Sequence, residues 1–189
     1  MDAYADRLIL VKASGDRSTL EQIRIWVEEA AAQGHQRLLV VVDYLQKIPI
    51  LRDGLGLETE STTYLAQGLK ELAMSLGVHI VAIAASDRPG LQSPRMRLTH
   101  LRGSSALQYE ADIGLVFNNK FGIVSREHMV YNPTLADEMR GWVVVSVEKN
   151  RAGRNALDME FGLDAAHFRL QPVGRFVRER LVDEKLVRE

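Results

Sequence analysis

Asp43 closes the apolar run Leu38-Leu39-Val40-Val41-Val42, and an acid at the carboxyl end of a buried strand is placed to do chemistry. Open α/β sheets bind their ligands off the carboxyl ends of the strands. In nucleotide-hydrolysing sheets an acid at this place holds the magnesium ion that bridges the phosphates. In an ordinary turn it only caps the strand end. A second group is basic: Arg88, Arg95, Arg97 and Arg102 lie between residues 87 and 102 with Asp87 as the one acid among them. Arginines grouped this way can neutralise backbone phosphates without reading bases. A solvated surface loop would carry them equally well. The third group, Lys149 and Arg151, follows the run Val143–Val147 beside Gly153, where exposed bases of a hairpin turn would also fall.

These groups need a scaffold, and its signals alternate between strand and helix. Arg7–Lys12 reads as a short strand ending at Ser14-Gly15-Asp16. Ser18 precedes Glu21 by three residues, the reciprocal capping pattern of a helix start. Leu20, Ile23, Val27 and Ala30-Ala31 form the apolar stripe of that helix, and Gly34 stops it. After the Asp43 strand come a Gly- and Pro-containing loop over 47–57, a helix over 61–76 ended by Gly77, and a buried strand over 78–84. Residues 86–100 read as a long loop. Strands are expected over 111–117 and 142–147, with a closing hairpin over 158–161 and 167–170. The tail over 173–189 alternates charges with apolar pairs and reads as an amphipathic helix. Such alternation predicts an α/β fold with a mostly parallel sheet and flanking helices.

Composition narrows the class without naming a partner. The 189 residues suit one domain with a full core, 46% are hydrophobic and 26% charged, and the net charge is −1. A nucleic-acid partner would have to be met by local patches rather than by the overall field. There is no cysteine, hence no disulfide and no thiolate metal site. The five histidines show no metal-ligand spacing, and no Gly-x-Ser-x-Gly nucleophile turn occurs. Trp26 and Trp142 fall on core-facing patterns. No apolar run approaches a membrane span, and Met1–Asp6 lacks the basic start and apolar stretch of a signal peptide, so a cytoplasmic location is expected.

Asp43-Tyr44-Leu45-Gln46 after its apolar strand resembles the DnaB-type replicative helicases, whose motor is a RecA-like ATPase domain. Further matches follow in that family's order. Leu69–Ala73 through Gly77–Ile83 resemble its helix and next strand. Leu101-Arg102-Gly103-Ser104-Ser105-Ala106-Leu107-Gln108 with Ala111-Asp112 resemble its DNA-facing loop, the helix behind it and the next strand. Glu148-Lys149-Asn150-Arg151-Ala152-Gly153 resemble its trans-acting basic motif. The likeness covers roughly residues 7–170. Gly103 stands where the family usually has an acid, Ser105 where it has glycine, and Ala85 where a polar Gln couples nucleotide state to the DNA loop. No Gly-x-x-x-x-Gly-Lys-Ser/Thr occurs, and none of the fourteen glycines is followed by lysine.

The resemblance implies a RecA-like domain over 1–172, lacking the phosphate-loop strand that lies upstream in relatives, followed by the tail over 173–189. It implies ATP and Mg2+ as family cofactors, with Asp43 as the magnesium-side acid. Lys149 and Arg151 would reach a neighbour's γ-phosphate as an arginine finger. Arg88, Arg95, Arg97, Arg102, Gly103 and Ser104 would meet single-stranded DNA. The expected partners are DNA and further copies or helicase-ring subunits, and the expected function is part of a DNA-unwinding motor in replication. The alternative is a non-enzymatic degenerate paralogue acting as a DNA-binding or ring-interaction subunit. On either reading the chain alone is expected to be inactive toward ATP, and an uncovered edge over Val78–Ala84 is expected to favour association.

Overall fold

A computed structural model describes residues 7–35, 37–51, 58–101, 103–123, 137–174 and 176–177, with only the backbone of Glu58 and Ser104. The chain divides into two units, Met1–Ala84 and Ala85–Glu189.

In the first unit, α1 (Leu20–Ala32) buries Ile23, Val27 and Ala30, the i, i+4, i+7 stripe of a half-buried helix. Its cap is Thr19, whose hydroxyl accepts from the Gln22 amide at 3.2 Å, rather than Ser18. Ser18 is buried and accepts from the Ser14 amide at 2.9 Å, so the turn before the helix has claimed that hydroxyl. Gly34 leaves α1 at φ +96, a conformation that costs glycine nothing. Strand β1 (Leu39–Val42) pairs in parallel with β2 (His79–Ala82), Val41 opposite Val81. Between them α2 (Glu58–Leu76) starts three residues before the expected Ser61 and buries Thr62, Leu65, Ala66, Leu69 and Leu72. Gly68 of α2 lies against the Leu20 side chain of α1, where a Cβ would collide with Leu20 Cδ1. Residues 8–13 form no strand, and Leu8, Ile9, Leu10 and Val11 are exposed. Apolar β-branched composition specifies a fit to a neighbouring strand, and no described strand pairs with this segment.

The second unit opens with the segment 86–101, which is more ordered than the expected loop. Asp87 caps a short helix, α3 (Arg88–Gln92), by accepting from the Gly90 amide at 2.7 Å. A single 3-10 turn covers Leu98–His100. The helix α4 (Ser104–Glu110) leads into an antiparallel sheet ordered β3-β4-β5-β6, from β3 (Ile113–Asn119), β4 (Trp142–Asn150), β5 (Leu157–Asp164) and β6 (Arg169–Gln171). The two-residue β7 (Phe176–Val177) pairs with β5. Of the helix expected over 173–189, Phe176–Val177 is strand instead, and residues 175 and 178–189 lie outside the described residues.

Val143 through Val147 of β4, the strand between β3 and β5, are all buried, so both of its faces are covered along this stretch. Edge strand β3 instead alternates, with Val116 buried and Leu115 and Phe117 half exposed. Signal alternation pointed to mostly parallel strands; the described strands are mixed in direction, parallel in the first unit and antiparallel in the second. The six residues between β4 and β5 permit only an antiparallel return.

Candidate functional site

Asp43 is exposed at the carboxyl end of β1. The β1–β2 pairing continues past it: the Ile83 amide donates to the Val42 carbonyl at 3.0 Å, and the Leu45 amide donates back to the Ile83 carbonyl at 2.8 Å. Leu45, 1% exposed, fixes the turn that follows the acid. The Asp43–Tyr44 peptide bond is cis. Asp43 is thus a lone carboxylate on a well-anchored strand end. Among the described residues no group of three or more His, Cys, Asp or Glu could hold a metal ion. Toward a magnesium–nucleotide group the chain supplies one acid and no glycine-rich phosphate cradle, so by itself it does not make that site whole.

In the second unit the arginine segment closes on itself and is tied down at three places. Its ends join as the Asp87 amide donates to the His100 carbonyl at 2.9 Å and Ser86 Oγ donates to the same oxygen at 3.1 Å. Its middle is held by Asn118 of β3, which accepts from the Met96 amide at 2.7 Å and donates to the Met96 carbonyl at 3.0 Å. Its far side is held by Glu148 of β4, which accepts from the Leu98 amide at 2.6 Å and from Arg97 Nη1 at 3.3 Å. Gly90 is required here, since a Cβ would collide with Ser86 Oγ and meet His100 Cβ at 2.6 Å.

The four arginines come apart in role. Arg88 is exposed on α3. Arg95 is buried: its Nη2 meets both oxygens of Asp158 at 2.7 and 2.6 Å and Ser146 Oγ at 3.3 Å, while Ser146 donates to Asp158 at 2.5 Å. Its charge is used inside the fold rather than presented to phosphate. Arg97 is half exposed beside Glu148. Arg102 lies outside the described residues. Gly103 caps α4 at φ +69, ψ +31, a left-handed conformation that suits glycine better than the acid usual in the resembled family.

Lys149 and Arg151 are brought together. Lys149 lies within β4, not after it, because the strand runs on to Asn150. Its Nζ donates to the carbonyls of Gln108 and Tyr109, the latter at 3.0 Å. Arg151 donates to the same Tyr109 carbonyl and reaches Asp112 at 3.3 Å, and its amide donates to the Asp112 carbonyl at 2.9 Å. Two cations thus converge on the last carbonyls of α4, where the helix dipole favours positive charge.

Asp158, Glu148 and Asp112 are the acids paired with Arg95, Arg97 and Arg151, and the sequence alone gave them no role. Glu148 and Asp112 stood inside the matched motifs. Asp158 gave no signal, since an acid alternating along a strand reads as solvent-facing.

A family model described as the DnaB-like helicase C terminal domain matches residues 2–169. The chain belongs to this family. The Mycoplasma genitalium protein named Replicative DNA helicase DnaB is 29% identical to this DnaB-like domain over 154 residues, covering 79% of this chain and 31% of that protein. The chain therefore spans about a third of that relative's length. Two solved structures share the fold at 20% identity. One, described as an ATPase domain, has a TM-score of 0.68 and is matched over 82% of this chain and 52% of that one. The other, a DnaB-like replicative helicase described with its interactions with primase, has a TM-score of 0.67 over 82% of this chain and 36% of that one. The fold is the α/β, RecA-like one of the DnaB helicase ATPase domains, with mixed strand directions. No described helix of the DnaB-like domain is long and apolar enough to cross a membrane.

Proposed function

We propose that this DnaB-like domain is the finger-bearing, DNA-gripping part of an ATP-dependent helicase motor that unwinds DNA in replication. It would work beside further copies or complete ring subunits. The observation that carries the reading is the convergence of Lys149 and Arg151 on the carbonyl end of α4, the helix whose opposite end is the Gly103-Ser104 turn. Lys149 is held on carbonyls through partial charges, and Arg151 shares one of those carbonyls with the exposed Asp112 carboxylate; a γ-phosphate, with several charged oxygens, can compete for both cations. In this role Lys149 and Arg151 stabilise charge on a neighbour's transferring phosphoryl group. Asp43 stands on the magnesium side of whatever site the strand end joins. ATP and Mg2+ would be the cofactors of the assembled motor.

DNA contact falls to Arg88, together with Arg102, Gly103 and Ser104, whose part rests on the family motif. The contacts are to phosphates and carry no base information. In the test, the full chain is titrated into complete DnaB-type helicase subunits and ATP turnover is followed. A finger properly placed in trans is worth about 10³–10⁵ in rate. Turnover should rise with the wild-type chain and not with Arg151→Ala. An identical response to both proteins removes the finger.

A second reading is that the chain is a non-enzymatic DNA-binding or ring-interaction subunit. Salt-dependent DNA binding without any effect on a helicase's turnover distinguishes it from the first.

A further inference from the structure

Resting on the DNA-gripping reading, we infer that Glu148 is an electrostatic mask that keeps Arg97 out of the set of phosphate contacts. One carboxylate does two things. Its Oε2 accepts from the Leu98 amide at 2.6 Å, which anchors it, and its Oε1 faces Arg97 Nη1 at 3.3 Å, which neutralises that guanidinium. Because a backbone amide holds the acid in place, it cannot swing away when an anion approaches. A phosphate must then compete with a fixed carboxylate for Arg97.

Arg97 is the arginine for which such a mask matters. Arg95, two residues earlier, has a side chain only 7% exposed and locked against Asp158, so no phosphate reaches it. The Arg97 side chain is 35% exposed and borders a recess of about 260 Å3 lined with Thr99, Glu148, Ser146 and Asp158. The bases that follow Glu148 along the chain, Lys149 and Arg151, are engaged elsewhere, on the carbonyl end of α4 and on Asp112. Glu148 is thus a positioning residue that sets how many phosphates the segment neutralises, beyond its plain part in anchoring the chain at Leu98.

Glu148→Gln separates the two roles. Glutamine keeps an acceptor for the Leu98 amide and removes the charge facing Arg97. Binding of the full chain to a labelled oligothymidylate is measured by anisotropy across a salt series, for wild type, Glu148→Gln, Arg97→Ala and the double variant. Releasing one phosphate contact steepens the log–log salt slope on a single strand by roughly 0.7. Glu148→Gln should show that increment, and it should vanish in the Arg97→Ala background. Arg97→Ala alone should leave the wild-type slope unchanged, a measurement that stands even where Glu148→Gln does not fold. The inference is overturned by equal slopes for wild type and Glu148→Gln. It is also overturned by the same steepening without Arg97, which would be a field effect of the lost acid, or by a flatter slope in Arg97→Ala. Wild-type binding with those outcomes leaves the DNA-gripping reading intact; no salt-dependent binding by any of the four proteins removes both.

Discussion

Arg95 and Arg97 sit two residues apart in one segment and live in different electrostatic worlds. Arg95 and Asp158 are 7% and 2% exposed, and Arg95 Nη2 donates to both carboxylate oxygens and to Ser146 Oγ. Arg97 and Glu148 are 35% and 15% exposed and meet through one guanidinium nitrogen at 3.3 Å. The first pair has given up water and depends on its geometry. Water still reaches the second and screens it. The same residue type thus fastens the segment to the sheet at one position and stands as a half-exposed charge against a tethered acid at the next.

Breaking the inner pair should give the largest effect. Arg95→Ala leaves Asp158 charged, buried and short of its main partner, which costs about 3–5 kcal/mol. Urea unfolding should show the midpoint collapse, and a loss under about 1 kcal/mol would mean that water already reaches Asp158. The middle tether comes next. Asn118→Ala strips both bonds from Met96, one at 2.7 Å and one at 3.0 Å. Leaving these backbone groups unmet costs about 1–3 kcal/mol. Faster hydrogen exchange at the Met96 amide should accompany it, and unchanged exchange there would argue that another group takes over.

For the outer pair the expected change is small. Arg97→Ala should alter stability by about 0–1 kcal/mol, because a half-exposed pair is offset by screening and side-chain entropy. A cost matching that of Arg95→Ala would erase the distinction between the two arginines. Smallest of all is Asp43→Ala, an exposed acid whose removal should fall within about 0.5 kcal/mol in the same unfolding experiment. A larger loss would make Asp43 a structural cap of the strand end.

Sequence reasoning reached the elements more readily than the tethers between them. The α1 stripe at Ile23, Val27 and Ala30, the stop at Gly34, the Asp43 strand and the stop at Gly77 are written in periods of 3.6 and 2 and in glycine at positive φ. The helix cap moved from Ser18 to Thr19 because two neighbouring hydroxyls compete for the same task. Arg7–Lys12 looked like a strand and is not one, since composition cannot supply a partner. Of the candidate site, Lys149 and Arg151 stood out as a pair through their likeness to the family's basic motif. Their shared seat on the Tyr109 carbonyl, about 40 residues away in sequence, was not legible.

The sequence by itself determined the family, most of the helices and strands from α1 onward, the acid at the end of β1 and the basic motif at the end of β4. All of these rest on local spacing, on turn chemistry and on short contiguous motifs. Only the tertiary structure decided which charges face solvent. Arg95 and Arg97 are indistinguishable as letters, and their fates depend on Asp158 and Glu148, brought in from 63 and 51 residues away by the pairing of β4 with β5. Burial and ion pairing depend on distance in space, and a reading confined to neighbours along the chain has no access to it.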